Sequence, residues 1–353
     1  MDLARRIVRR AGIGLAIHSG WFRRRFSSQR GKLRILTYHG IVPDEFRDRP
    51  WTPSHYVTVS QFGQQMKTLA KLGPCPPLHE AMTRIREHQT TSPIICLTFD
   101  DGMADNVSLA LPALKRYGHH ATFFLATGHV DCPVPLFNDI VRLLRPAFHQ
   151  GLLGADLDAV PRLVLEDPGR VKHLRFATLE AAFAGLWARF GHLADAEGVR
   201  ALRTIDTEGV KKLLAAGMAL GAHTTHHSIL VREDRATRRR EITDSVEFVR
   251  NLTGERDVLF AYPYGEKGDY DSVDLAVLES LGLPYAVTQQ RGWNEASTPP
   301  LELCRSAIGL HCSPTAFLWE ALGSGSIYRT PPAASVAAIG PAAAPLTESP
   351  LCP

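Results

Sequence analysis

Residues 98–102 read T-F-D-D-G and residues 223–227 read H-T-T-H-H. The first stretch sets two carboxylates, Asp100 and Asp101, side by side at the end of an apolar run, I-I-C-L-T-F. Adjacent like charges repel, and neither carboxylate tolerates burial without a partner. A cation beside them would resolve that cost, and a cation needs more ligands. His223 and His227 are candidates, because residues four apart share one face of a helical turn. Thr224 is placed to cap such a turn, and His226 points away from the pair as a surface or supporting histidine. Two imidazoles and one carboxylate form a facial set for a divalent metal with open positions. Zinc suits these ligands, and iron, cobalt or manganese would bind the same set.

Other chemistries lack their signatures. There is no G-x-x-x-x-G-K-[ST], no G-x-G-x-x-G after a strand and no G-x-S-x-G elbow. The six cysteines show no C-x-x-C pairing, which argues against a cysteine zinc site and favours a reducing compartment. The chain has 353 residues, 44% hydrophobic and 22% charged, a soluble globular profile with a sizeable core. Its net charge of +4 is uneven: residues 1–32 carry eight arginines and Lys32 against Asp2. The near-neutral remainder excludes a nucleic-acid groove. The basic head is too short in its apolar stretch to span a bilayer and lacks a cleavage pattern for export. Leu3, Ile7, Leu15, Trp21 and Phe22 could instead rest on an anionic membrane surface, or the segment could pack on its own domain. The expected location is cytoplasmic, with a peripheral place on the inner membrane face as an option.

The candidate ligands must be positioned by strand ends. Residues 32–40, 93–99, 121–126, 218–222, 258–261, 285–288 and 306–310 read as strands, and 61–72, 106–117, 208–216 and 272–281 as helices between them. That alternation predicts an α/β body, interrupted by a helical excursion at about 131–204. Residues 323–353 are rich in Pro and Ala and have little to bury. His39, the Asp100–Asp101 pair, His223 with His227 and the segment after Phe260 all fall at strand ends, which in such a body meet at one mouth.

These motifs, T-F-D-D-G, H-T-x-x-H and F-A-Y-P-Y-G at 260–265, resemble those of the polysaccharide deacetylase family, the NodB-homology or carbohydrate esterase family 4 fold. The likeness runs from about residue 33 to 322. It implies a distorted (β/α)7 barrel and metal-dependent hydrolysis of an acetamide on an N-acetylated sugar. It casts Asp100 as general base and Asp101, His223 and His227 as metal ligands, with the backbone N–H near Tyr264 facing the oxyanion. The third family motif usually opens with an arginine that braces the base, and 260–265 contains none. The general acid has two candidates. His311, after Leu310, imitates the late family motif in poor surroundings; His39 lies in a Y-H pair used by a rearranged branch of the family, and is preferred.

The substrate implied is an acetylated sugar, a glycan or a lipid-linked sugar, with Tyr264 or Trp293 as an aromatic face for the ring, although Trp293 could equally be core. An O-acetyl esterase, a deformylase or amidohydrolase on a non-sugar amide, and a catalytically silent carbohydrate-binding protein remain alternatives with the same motifs.

Overall fold

The computed structural model describes residues 24, 26–154 and 157–323. Most of the basic segment 1–32 and nearly all of the segment 323–353 therefore lie outside the described residues. Strand β1 (Leu33–Tyr38) is followed by a small parallel pair, β2 (Ile41–Val42) and β3 (Val57–Thr58), then by α1 (Val59–Ala70), α2 (Leu78–Arg86) and β4 (Ile94–Phe99). A π-helical turn, Asn106–Ala110, runs into α3 (Leu111–Tyr117) and β5 (Thr122–Leu125). Four helices intervene before β6 (Ala219–Ala222): α4 (Phe137–His149), α5 (Ala159–Glu166), α6 (Phe176–Phe190) and α7 (Ala196–Ala201), after which α8 (Thr207–Ala215) leads into that strand. The chain continues through α9 (Arg235–Thr253), β7 (Leu259–Ala261), α10 (Ser272–Ser280), β8 (Ala286–Val287), β9 (Ser306–Ala307) and α11 (Pro314–Leu322).

Seven strands form one parallel sheet in the order β8-β7-β6-β5-β4-β1-β9. Every residue of β1 and β4 is buried, which is why β4, I-I-C-L-T-F, reads as a nearly continuous apolar run rather than an alternating one. Leu33, Ile35, Cys96, Phe124 and Leu259 pack with α2 on one face of the sheet. Leu36, Tyr38, Leu97, Phe99 and Phe260 pack against α1, α3, α8 and α9 on the other. The sheet curls without full closure into the distorted barrel. A single segment spans its open side: Leu303 bridges Val287 of β8, and three residues later Ser306 and Ala307 pair with Leu36 and Thr37 of β1.

Local signals explain the ends of several helices. Thr58 and Gln61 form a reciprocal capping box on α1. Asp234 caps α9, and Gly254 in the left-handed conformation stops it. Helices α4, α5 and α6 between β5 and β6 have a core of their own, including Phe137, Ile140, Leu144, Val164 and Phe183. Among the described residues, no helix is long and apolar enough to cross a membrane.

Gly221 shows how tightly β6 is held where it delivers His223. A Cβ at Gly221 would lie 2.5 Å from the Phe124 ring and 2.8 Å from the Leu259 carbonyl oxygen. Backbone on one side cannot yield, so Gly221→Ala is expected to lose about 1–3 kcal/mol of stability. Chemical denaturation of the two proteins measures this.

Candidate metal centre

The C-terminal ends of the strands converge as the alternation requires. His39 follows β1, Asp100 and Asp101 follow β4, His223 follows β6, Tyr264 lies beyond β7 and Gln289 beyond β8. All line one cavity of about 660 Å³.

Asp101 sits in the left-handed region at φ +74°, and Gly102 after it at +71°. A non-glycine residue adopts that conformation at a cost. Here the turn aims the Asp101 carboxylate across the cavity at two imidazoles. Its Oδ1 lies 3.2 Å from His227 Nε2 and 3.5 Å from His223 Nε2. Two ligands of one tetrahedral ion, each about 2.1 Å from it, lie roughly 3.4 Å apart. That same Oδ1 is buried and accepts no hydrogen bond. The trio therefore fits a divalent cation by spacing, by donor type and by the orphaned oxygen. Burial opposes the Asp101 charge, but the neighbouring His227 and His223 hold its carboxyl well below the usual range.

The loop carrying the histidines is not the helical turn expected from its spacing. Thr224 and His227 both have φ +59° and the segment is an irregular bend, which still brings the two rings within 5.0 Å of each other. Thr224 therefore has no helical turn to cap; its hydroxyl instead accepts the Ser228 N–H within the bend. His223 Nδ1 donates to the Ala261 carbonyl at 2.7 Å, which leaves Nε2 for the ion. Glu241 of α9 organises the rest: its carboxylate accepts the N–H groups of Thr225 and His226 and meets His226 Nδ1 at 2.6 Å. His226 thus points away from the ion and stacks on Phe176 of α6.

Asp100 goes the other way. Arg305, on the segment that spans the open side of the barrel, grips it with two hydrogen bonds of 2.7 Å, one to each carboxylate oxygen. Arg305 is fully buried and is itself held by the Thr288 carbonyl and the Thr98 hydroxyl. Gln289 Nε2 adds a contact of 3.3 Å to Asp100 Oδ2. Burial alone would raise the Asp100 pKa; Arg305, together with His223 and His39, outweighs it and keeps the carboxyl below its usual value.

His39 lies on the same cavity, with its backbone carbonyl held by Asn106 Nδ2 and its buried Nδ1 unpartnered. The His55 ring stands edge-on to it at 4.5 Å, and ring nitrogens of both approach an Asp101 oxygen within 4.8 Å. Burial lowers the pKa of His39 against the pull of Asp101 and Asp100. His311 is exposed and does not line the cavity. Tyr264, at φ +59°, has its ring 5.4 Å from His227 and its hydroxyl bonded to Asn138, while its N–H has no protein acceptor among the described residues. Trp293 is not part of the cavity: it packs under Arg34 at 4.4 Å and donates to the Gly323 carbonyl.

A sequence profile described as polysaccharide deacetylase matches residues 87–155 and 171–286, more than half of the chain. The chain belongs to the polysaccharide deacetylase family. Over 109 residues it is 30% identical to the candidate polysaccharide deacetylase YxkH of Bacillus subtilis (strain 168), a stretch that spans 30% of this chain and 35% of that relative. Among solved structures, the Streptococcus pyogenes deacetylase PplD in complex with acetate has a TM-score of 0.54 at 21% identity, over 82% of this chain and 98% of that one. IcaB from Ammonifex degensii also has a TM-score of 0.54, at 17% identity, over 82% of this chain and 97% of its own. These likenesses show the fold.

In this chain the arginine missing from 260–265 has a substitute in Arg305, 205 residues from the carboxylate it grips. Sequence reasoning passed it over, although an arginine inside the apolar run L-E-L-C-R-S-A-I signals a buried charge in need of a carboxylate. His55 and Glu241 were also missed; neither lies in a motif. Replacing Arg305 with Met strands a buried carboxylate and is expected to cost about 3–5 kcal/mol, whereas Arg305→Lys should fold and keep its metal but lose turnover with the two-pronged grip. Glu241→Gln is expected to weaken metal affinity by about 10- to 100-fold through the loop it organises. Thermal unfolding, metal titration and an assay for released acetate on the three variants check these three expectations.

Proposed function

We propose that the protein is a metal-dependent hydrolase that removes an acetyl group from the amide nitrogen of an N-acetylated sugar, in a glycan or a glycan precursor, with zinc as the metal. The observation that carries this reading is the parting of two neighbouring carboxylates. Asp101 faces two imidazoles at ligand spacing, while Asp100 is held ionised by Arg305 beside them. One carboxylate that holds an ion and one that takes a proton are what amide hydrolysis needs.

Asp101, His223 and His227 would hold the ion, which when bound lowers the pKa of water and polarises the acyl oxygen. The remaining work falls to the chain. Asp100 accepts a proton from the attacking water at Oδ1, which keeps a lone pair beyond its bond to Arg305, whereas Oδ2 is taken by Arg305 and Gln289. The Tyr264 N–H, without a protein acceptor among the described residues, donates to the oxyanion as the tetrahedral carbon forms. His39 gives a proton to the departing nitrogen. Burial lowers its pKa, so an imidazolium at His39 gives up that proton readily. The C–N bond breaks, and acetate and a free amine leave. His311, exposed and away from the cavity, is not positioned for this step. Family membership supports an acetylated sugar as substrate, and the fold shared with the Streptococcus pyogenes deacetylase in complex with acetate supports acetate as the product.

Two variants separate the carboxylates. Asp100→Asn should keep its metal and lose turnover by about 10²–10⁴-fold, the usual effect of removing one acid–base group. Asp101→Ala should lose the metal. Elemental analysis with an assay for released acetate and free amine reads both outcomes. A fully active Asp100→Asn protein, or stoichiometric metal in Asp101→Ala, would sink the mechanism.

A further inference from the structure

Helix α4 places a second buried carboxylate in the cavity, Asp139, in its first turn. An acid near a helix N-terminus is favoured by the helix dipole, and there it is ordinarily exposed. Asp139 is only 4% exposed and lines the cavity together with His39, Asp101 and His227. Its Oδ1 accepts from Arg142 Nη1 at 2.8 Å. Among the described residues nothing donates to its other oxygen. A buried carboxylate with one protein partner is costly, and burial pushes its pKa up to about 6 against the pull of Arg142. Arg142 also lines the cavity, and its side chain stays about a third exposed, at 32%. One residue earlier, Asn138 bonds the Tyr264 hydroxyl at 2.8 Å. That bond fixes the first turn of α4 to the wall that carries the proposed oxyanion donor. The pair is therefore held on the cavity beside that wall.

We propose that Asp139 and Arg142 form a subsite that binds hydroxyl groups of the sugar ring being deacetylated. The free carboxylate oxygen accepts from one hydroxyl, and the guanidinium donates to a neighbouring ring or hydroxyl oxygen. Sugars present donors and acceptors side by side, and an ion pair with one unused acceptor and several unused N–H groups matches that pattern. A pair serving only to cap α4 would need neither the burial nor the cavity. The subsite rests on the functional reading above and adds to it the part of the site that selects a hydroxylated substrate over any other acetyl donor.

The test uses metal-loaded full-length protein and two probes: an N-acetylglucosamine trisaccharide, and 4-nitrophenyl acetate, which has an acetyl group and no sugar. Asp139→Asn keeps the shape and a bond to Arg142 but replaces the carboxylate. Arg142→Lys keeps the charge and loses the fork, and serves if Asp139→Asn does not fold. Either is expected to raise the KM for the trisaccharide, and its Kd by calorimetry, on the order of 10- to 100-fold, the worth of a hydrogen bond to a charged group. Metal content and kcat/KM on 4-nitrophenyl acetate should stay at the parent level. An unchanged KM for the trisaccharide overturns the subsite alone, as does an equal loss on both probes, which would mark a structural role. If the parent protein cleaves the ester but neither binds nor cleaves the trisaccharide, the sugar reading fails and the subsite fails with it.

Discussion

Two carboxylates on consecutive residues cannot both remain charged in a buried site unless something holds them apart. In this protein Arg305 does so. By taking both oxygens of Asp100 it keeps that carboxylate charged and fixed, and Asp101 is left to turn toward the imidazoles. The guanidinium and carboxylate are both fully desolvated, so their attraction is largely spent on losing water. What the pair gives is an address for each charge. Without it the neighbours would share a proton or repel, and neither role would be defined.

The supports of the site are spread over several elements. Ala261 of β7 orients His223, Glu241 of α9 gathers the loop amides, and Phe176 of α6 stacks on His226. The N–H of Phe176 is bound in turn by Glu233, just before α9. The helices between β5 and β6 are thus tied to the histidine loop by stacking and hydrogen bonding, not only by their own core. Backbone strain gathers at the same place. Of six non-glycine residues with left-handed φ among the described residues, Asp101, Thr224, His227 and Tyr264 belong to the site. Such strain persists only where the surroundings over-determine it, and these hydrogen bonds and stacks do so.

The parts legible in the sequence were those written locally. T-F-D-D-G, H-T-x-x-H and Y-P-Y-G each fit within a few residues, and the fully buried strands before them read as apolar runs. The course of the histidine loop was misread because four-residue spacing looks helical, whereas left-handed Thr224 and His227 reach the same convergence by a bend. Helix α9, 19 residues long, gave no clear apolar stripe because R-A-T-R-R-R-E crowds its first turns with charge. Arg305 escaped for a different reason. Its partner lies 205 residues away along the chain, and only the segment that crosses the open side of the barrel brings it in.

The seam of the barrel also sets an order in time. The ribosome makes Asp100 and Asp101 first, then the histidine loop, and Arg305 only two hundred or so residues after the carboxylates it separates. Until then the nascent chain holds an acidic pair with nothing to fix it. The strand-to-strand closure that joins Leu303 to Val287 and Ser306 to Leu36 is the event that inserts the guanidinium. Completion of the barrel and arming of the site are therefore one step, so a chain stalled before residue 303 would carry every motif and still lack a working centre.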